Sequence, residues 1–188
     1  MEIGRVEGYR KFCNKLWNAT KFCLFRMGLV DLEGVRQQSS FTPNASPLVR
    51  PRLLFRLRSS LVLQPTGRES IVEKWLYHKL NLASASVSVH LEERDFSDAS
   101  TAAYQFFLYD LCDVFIEATK PLFETNVESP SKVSAQNTLY TCLEGGLKLL
   151  HPFMPYVTED LWQRLPRRPD DKCESIMVSS FPEKASPP

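Results

Sequence analysis

TAAYQFFLYDLCDVFIEATK, residues 101–120, is the stretch on which the fold turns. Tyr104, Phe106, Phe107, Leu108, Leu111, Val114, Phe115 and Ile116 place apolar side chains on nearly every side of a helix. A helix apolar all round belongs at the centre of a bundle. Asp95 or Ser97 supplies the capping oxygen for the free N–H groups of its first turn. The spacing therefore predicts a helix over 97–124. Its polar exception is a narrow acidic strip, Asp110, Asp113 and Glu117, at i, i+3 and i+7. Such a strip can hold a metal ion, but ion pairing with basic residues of the first or second helix is the simpler expectation. Exposed pairs of that kind contribute only about 0–1 kcal/mol each.

Outward from this helix, the pattern stays helical. Downstream, Ser129 and Pro130 suit the N-cap and first turn of a helix over about 129–150. Its apolar face carries Ala135, Leu139, Cys142, Leu143, Gly146, Leu147 and Leu150. Gly145 and Gly146 each cost about 1 kcal/mol of helix propensity relative to Ala, and such residues can be retained where another helix approaches closely. Pro152 and Pro155 break the chain before a short helix over about 155–165 with Leu161 and Trp162. Ser175–Ser179 is expected as a short strand, and the proline-rich end, 185–188, as a frayed tail.

Upstream, Ile71, Val72, Trp75, Leu76, Leu80 and Ala83 mark a helix over about 69–92. After Leu82 the run Ala83–Val89, with three serines and two valines, has weak helix propensity and suits a strand. At the N-terminus, Val6, Tyr9, Cys13, Leu16, Thr20, Cys23 and Met27 recur at steps of three and four, predicting a helix over 3–28 that stops at Gly28. Residues 29–63 differ in kind. They contain Pro43, Pro47 and Pro51, and their only basic residues are Arg36, Arg50, Arg52, Arg56 and Arg58. This segment reads as an irregular insertion. The expected fold is all-α, a bundle of about five helices built from 1–28 and 64–184.

Composition agrees with a soluble globular chain: 43% hydrophobic and 24% charged residues in 188. No apolar run nears the ~20 residues needed to cross a bilayer, so no membrane partner is expected. Five widely spaced cysteines without a CxxC pair argue for reduced thiols rather than zinc or disulfides, and for a cytoplasmic location. The net charge of +1 hides a division, because the first half carries a clear basic excess and the second an acidic one. The basic half either binds a polyanion or packs against the acidic half.

Catalytic patterns are absent from this sequence. His78, His90 and His151 fall in no HExxH or paired-histidine pattern, and His151, beside Pro152, suits capping or packing. No phosphate-cradling glycine loop and no GxSxG elbow occur. The strongest ligand-binding candidates lie on the first helix: Arg10, Lys11, Asn14, Lys15, Asn18 and Lys21. Lysines neutralise phosphates, and asparagine amides both donate and accept. That face fits a nucleic-acid backbone, and it also fits a solvated surface with interhelical hydrogen bonds.

Particular strings carry a family resemblance. GYRKFCNKLWNATKF, residues 8–22, closely resembles the helix that opens the anticodon-binding domain of valyl-tRNA synthetases. YQFFLYDLCDVFIE (104–117) with Lys120-Pro121, LLHPFMPYVTEDLW (149–162), and ESIMV (174–178) with Phe181-Pro182 resemble further blocks of that family in the same order. Residues 29–63 match none of these blocks. Arg164–Arg168 and Cys112 with Asp113 look most like the eukaryotic cytosolic form. The resemblance implies a helical bundle that grips the anticodon stem and loop of valine tRNA. In whole enzymes of the family, ATP activates valine and the aminoacyl group moves to the tRNA 3′ end. The HIGH-type and KMSKS-type signatures of that catalytic domain are missing from these residues, and so is the editing domain. The chain is therefore expected to hold no cofactor or metal, to be inactive alone, and to work with catalytic and editing domains as partners. The other expectation is an interaction bundle without RNA binding, which exposed Trp17 or Trp162 would favour.

Overall fold

The computed structural model describes residues 3–27, 69–124, 129–166 and 173–182. The expected stop at Gly28, the insertion over 29–63 and the tail over 185–188 lie outside the described residues. Within them the fold is all-α, with five helices and no strand. We label them α1 (Ile3–Arg26), α2 (Ile71–Glu92), α3 (96–124), α4 (Pro130–Leu150) and α5 (Pro155–Arg164).

The helix starts follow from local chemistry. Ser70 caps α2 through a capping box with Glu73. Asp95, the first of the two expected caps, accepts from the Asp98 N–H at 3.1 Å and opens α3. Ser129 accepts from the Lys132 N–H at 3.2 Å, with Pro130 in the first turn of α4. α2 does not become a strand after Leu82. It runs on to Glu92 because Ala83, Ser84 and Val87 are buried against neighbouring helices, and packing overrides weak propensity there. Arg94, at φ 62°, makes the left-handed turn into α3.

α3 is continuous but not uniform. Phe96–Gln105 is α-helical, Phe106–Ile116 is wound as a π-helix, and Glu117–Glu124 returns to α. Periodicity at 3.6 residues gave no hint of the wider turn. The α winding resumes four residues before Pro121, whose missing N–H has no bond to return to Glu117.

The centre of the bundle is shared by α3 and α4. Phe106, Phe107, Leu111 and Phe115 of α3 meet Leu139, Leu143 and Leu147 of α4, with Leu16 of α1, Leu76 of α2 and Leu161 of α5 closing the core. The expected close approach at the glycine pair is present. A Cβ on Gly146 would lie 2.9 Å from the Phe107 ring, and one on Gly145 would lie 3.0 Å from a Leu80 methyl.

The expected strand at Ser175–Ser179 is absent: Ile176–Val178 forms a single 3-10 turn. No strand partner lies beside it among the described residues. Instead Glu159 of α5 accepts from Ser175 Oγ at 2.9 Å and from the Ile176 N–H at 3.0 Å. A carboxylate that captures the backbone in this way fixes a turn rather than a ladder. The Pro182 carbonyl accepts a hydrogen bond from Ser84 Oγ of α2.

Candidate nucleic-acid interface

One stripe of α1 turns away from the core. Arg10, Asn14, Trp17, Asn18 and Lys21 recur at helical spacing, while Phe12, Leu16, Ala19 and Cys23 are buried on the other side. Arg10, Asn14 and Asn18 are exposed, and Lys21 is half-buried. The middle of the stripe is Trp17. The Arg164 guanidinium of α5 lies 4.7 Å from its ring centroid, and the Lys21 ammonium 5.9 Å. Two cations over one indole form a favourable contact and add an arginine from a distant part of the sequence to the basic face. Arg164 also pairs with Asp160, at 3.2 Å. Sequence reading missed Arg164, and its only signal was the basic run after Trp162.

Lys11 and Lys15 form the other edge of this face. Lys11 pairs with Glu7 at 3.0 Å on the surface. Lys15 crosses to α3 and bonds Asp113 at 3.1 Å, both side chains being about half exposed. Lys79 of α2 lies 3.6 Å from Asp110, and Lys120 lies 2.6 Å from Glu117. Each carboxylate of the acidic strip therefore faces a lysine. Asp113 pairs with the first helix and Asp110 with the second, as the ion-pair reading requires, whereas Glu117 pairs within its own helix. All six candidates from the sequence lie on α1: Arg10, Asn14, Asn18 and Lys21 on the outward stripe, Lys11 and Lys15 at its edge toward α3. Among the described residues, Lys15 is the one of them bonded to a neighbouring helix.

α1 is set in place by groups that its own sequence does not announce. Its last carbonyl, that of Arg26, accepts from Gln136 Nε2 of α4 at 2.6 Å. The Arg26 guanidinium donates to the Phe123 carbonyl at 3.3 Å and packs 5.0 Å from the Phe22 ring. α1 is thus pinned to the ends of both central helices. Trp162 is buried at 2% exposure and Trp17 is half-buried, so neither offers the open indole face expected of a waiting interaction surface.

The His151 region is structural in arrangement. His151 is buried at the end of α4, with Nδ1 2.7 Å from Thr158 Oγ1. Thr158 Oγ1 donates to the Met154 carbonyl, which leaves its lone pairs for a His151 Nδ1–H. Burial lowers the His151 pKa, with Glu159 pulling in the opposite direction. Burial pushes the Glu159 pKa up, but hydrogen bonds from Gln163, Ser175 and the Ile176 N–H outweigh it and hold the carboxyl below its ordinary value. An open depression between α5 and the 3-10 turn is lined by His151, Glu159, Gln163 and Ser175 together with Tyr156 and Met177. Gln163 and Ser175 donate to the Glu159 carboxylate there, and Gln163 also donates to the Glu174 carbonyl, which holds the 3-10 turn against α5.

Burial raises the thiol pKa of Cys23 and Cys142, and pushes Cys112 up to about 12. All five cysteines are free. Among the described residues, the ligand atoms of His90, Asp95 and Asp98 lie within 4.8 Å of one another, but Asp95 is already in use as the α3 cap.

Comparison with known proteins gives this surface its context. Residues 73–188 match the family model described as the anticodon-binding domain of tRNA ligase. The chain belongs to that family. It is 48% identical over 182 residues to a valine–tRNA ligase of Schizosaccharomyces pombe. It is 40% identical over 183 residues to a valine–tRNA ligase of Homo sapiens, and 41% over 182 residues to a mitochondrial valine–tRNA ligase of Saccharomyces cerevisiae. Each alignment takes in 97% of this chain but only 16%, 12% and 14% of those relatives. The chain thus spans about a sixth or less of the length of the curated relatives it matches. The family match begins within α2, so α1 is tied to the ligases by the longer alignments. Those alignments also take in the 29–63 stretch that the sequence blocks left out. Among the described residues, no helix is long and apolar enough to cross a membrane.

Proposed function

We propose that this chain is the tRNA-gripping bundle of a valine–tRNA ligase, with α1 and the edge of α5 lying against the anticodon stem and loop of valine tRNA. The observation that carries this reading is the α1 stripe: Arg10, Asn14, Asn18 and Lys21 on one exposed face, with Arg164 brought over Trp17. Family membership makes an RNA the natural ligand of such a face. Cations on such a face can neutralise phosphates, and asparagine amides can hydrogen-bond phosphate or sugar. Catalysis belongs to other polypeptide in this reading. The catalytic domain would bind ATP, valine and the tRNA 3′ end, and an editing domain would complete the enzyme. The described residues supply positioning only, with no cofactor and no metal required. The cytoplasm is the proposed compartment.

The test is competition. Labelled valine tRNA bound to the 188-residue chain is challenged with its isolated anticodon hairpin or its isolated acceptor hairpin. Displacement by the anticodon hairpin is expected. Displacement by the acceptor hairpin alone overturns the reading.

A further inference from the structure

We propose that Met177 is an oxidation site whose sulfoxide is received by His151, so that a peroxide modifies the contact between the 3-10 turn and the end of α4. The inference is independent of RNA binding and begins from one contact. The Met177 sulfur lies 2.7 Å from His151 Nε2. Met177 is 71% exposed, whereas Met27 is buried and Met154 is half-buried. A dissolved oxidant therefore reaches its sulfur most readily of the three. His151 is itself buried, with Nδ1 held 2.7 Å from Thr158 Oγ1. The imidazole thus meets the exposed thioether with its orientation already set.

In the reduced protein this contact lacks a good donor–acceptor match. Thr158 Oγ1 donates to the Met154 carbonyl and offers lone pairs to Nδ1, which therefore holds the proton of the neutral ring. Nε2 then turns a lone pair toward a sulfur that has no hydrogen to give. Even for the protonated ring, a thioether is a weak acceptor. Oxidation changes the partner. The sulfur lone pair attacks one oxygen of hydrogen peroxide, and an S–O bond forms as the O–O bond breaks. The departing hydroxide takes the proton of the transferred oxygen and leaves as water. Sulfur is oxidised and the peroxide is reduced. The sulfoxide oxygen carries partial negative charge and accepts strongly from an Nε2–H. That bond requires a proton on both ring nitrogens, so the sulfoxide favours the imidazolium form. Glu159 of α5, which faces the ring, favours the same form. Asp160, at the same depression, is paired with Arg164. Methionine sulfoxide reductases restore the thioether, so the modification is reversible.

The test is mild hydrogen peroxide treatment of the full 188-residue chain, followed by mass mapping of its methionines and NMR titration of the His151 ring. Met177 is expected to convert several times faster than Met27 and Met154. Its conversion is expected to raise the proton affinity of His151 about tenfold, the scale of one hydrogen bond to a charged group. Met177→Leu keeps an apolar side chain of similar size and is expected to abolish the peroxide effect on His151. Conversion of Met27 or Met154 at the rate of Met177 overturns the site. An unaltered His151 titration after Met177 has been converted overturns the contact between sulfoxide and imidazole. A peroxide-induced change at His151 that persists in Met177→Leu does the same.

Discussion

Lys15 and Lys21 lie on the same helix and meet different neighbours. Lys15 is bonded to Asp113 of α3, whereas Lys21 lies over the Trp17 ring beside Arg164. A carboxylate already neutralises Lys15, so its contact with a phosphate would gain less and would break an existing pair. Each phosphate contact changes the slope of log affinity against log salt by about one. We expect Lys21→Ala and Arg10→Ala to reduce the slope by about one each, and Lys15→Ala to reduce it by clearly less. Salt titration of valine tRNA binding checks this, and a full unit lost on Lys15→Ala contradicts it. That the strip would pair with the first or second helix was legible in the sequence; which lysine meets Asp113 was not, because 98 residues separate Lys15 from Asp113.

Titration at His151 is also a residue-scale matter. Its pKa is lowered in the fold from an ordinary 6.5, so the folded state binds fewer protons than the unfolded chain. Stability from this group is complete above about pH 6.5 and declines as the pH falls below it. Glu159, held below its ordinary 4.5, adds stability that is lost at still lower pH. Thermal melting between pH 7.5 and 5.5 is expected to show a falling midpoint, and His151→Gln is expected to flatten that fall. An unchanged pH profile in the variant contradicts the assignment.

At the scale of elements, the glycine pair of α4 fixes how closely α2 and α3 approach. Gly146→Ala would place a methyl 2.9 Å from the Phe107 ring and 3.3 Å from that of Phe106. Overpacking of that kind costs about 1–3 kcal/mol, which exceeds the ~1 kcal/mol gained in helix propensity. Gly145→Ala meets the movable end of Leu80 and is expected to be closer to neutral. Urea denaturation of both variants distinguishes the sites, and a Gly146→Ala chain as stable as the wild type would show that the contact relaxes. Glu73 is a second local determinant. Buried at the start of α2, it completes the capping box and accepts from Ser134 Oγ of α4 at 2.5 Å. Glu73→Ala strands both partners and should cost about 1–3 kcal/mol.

These elements also mark where sequence reading reached and where it stopped. Helix existence followed from apolar spacing and caps, and the glycine contact followed from two costly residues kept in a helix. The extension of α2 through Ala83–Val89 was hidden because buried packing, not propensity, holds it. The π winding was hidden because Phe106–Ile116 is apolar on nearly every side, so no periodicity separates one turn width from another. The 3-10 turn was hidden because its partner, Glu159, lies on α5.

For the molecule as a whole, the division of charge has two uses. Lys15–Asp113 and Lys79–Asp110 join the basic N-terminal half to the acidic C-terminal half. Arg10 and Lys21 of α1, with Arg164, stay on the stripe that turns away from the core. Packing and the proposed polyanion contact thus draw on different residues. The same division of labour separates grip from chemistry. Incubation of this chain with ATP and valine is expected to yield no valyl adenylate, and clear adenylate formation would contradict a purely tRNA-holding role.

The most direct measurement is the affinity of the 188-residue chain for valine tRNA and for a tRNA with a different anticodon, at two salt concentrations. The proposed grip predicts tighter binding of valine tRNA and a steep loss of affinity for both as salt rises. No binding of valine tRNA even at low salt would contradict it.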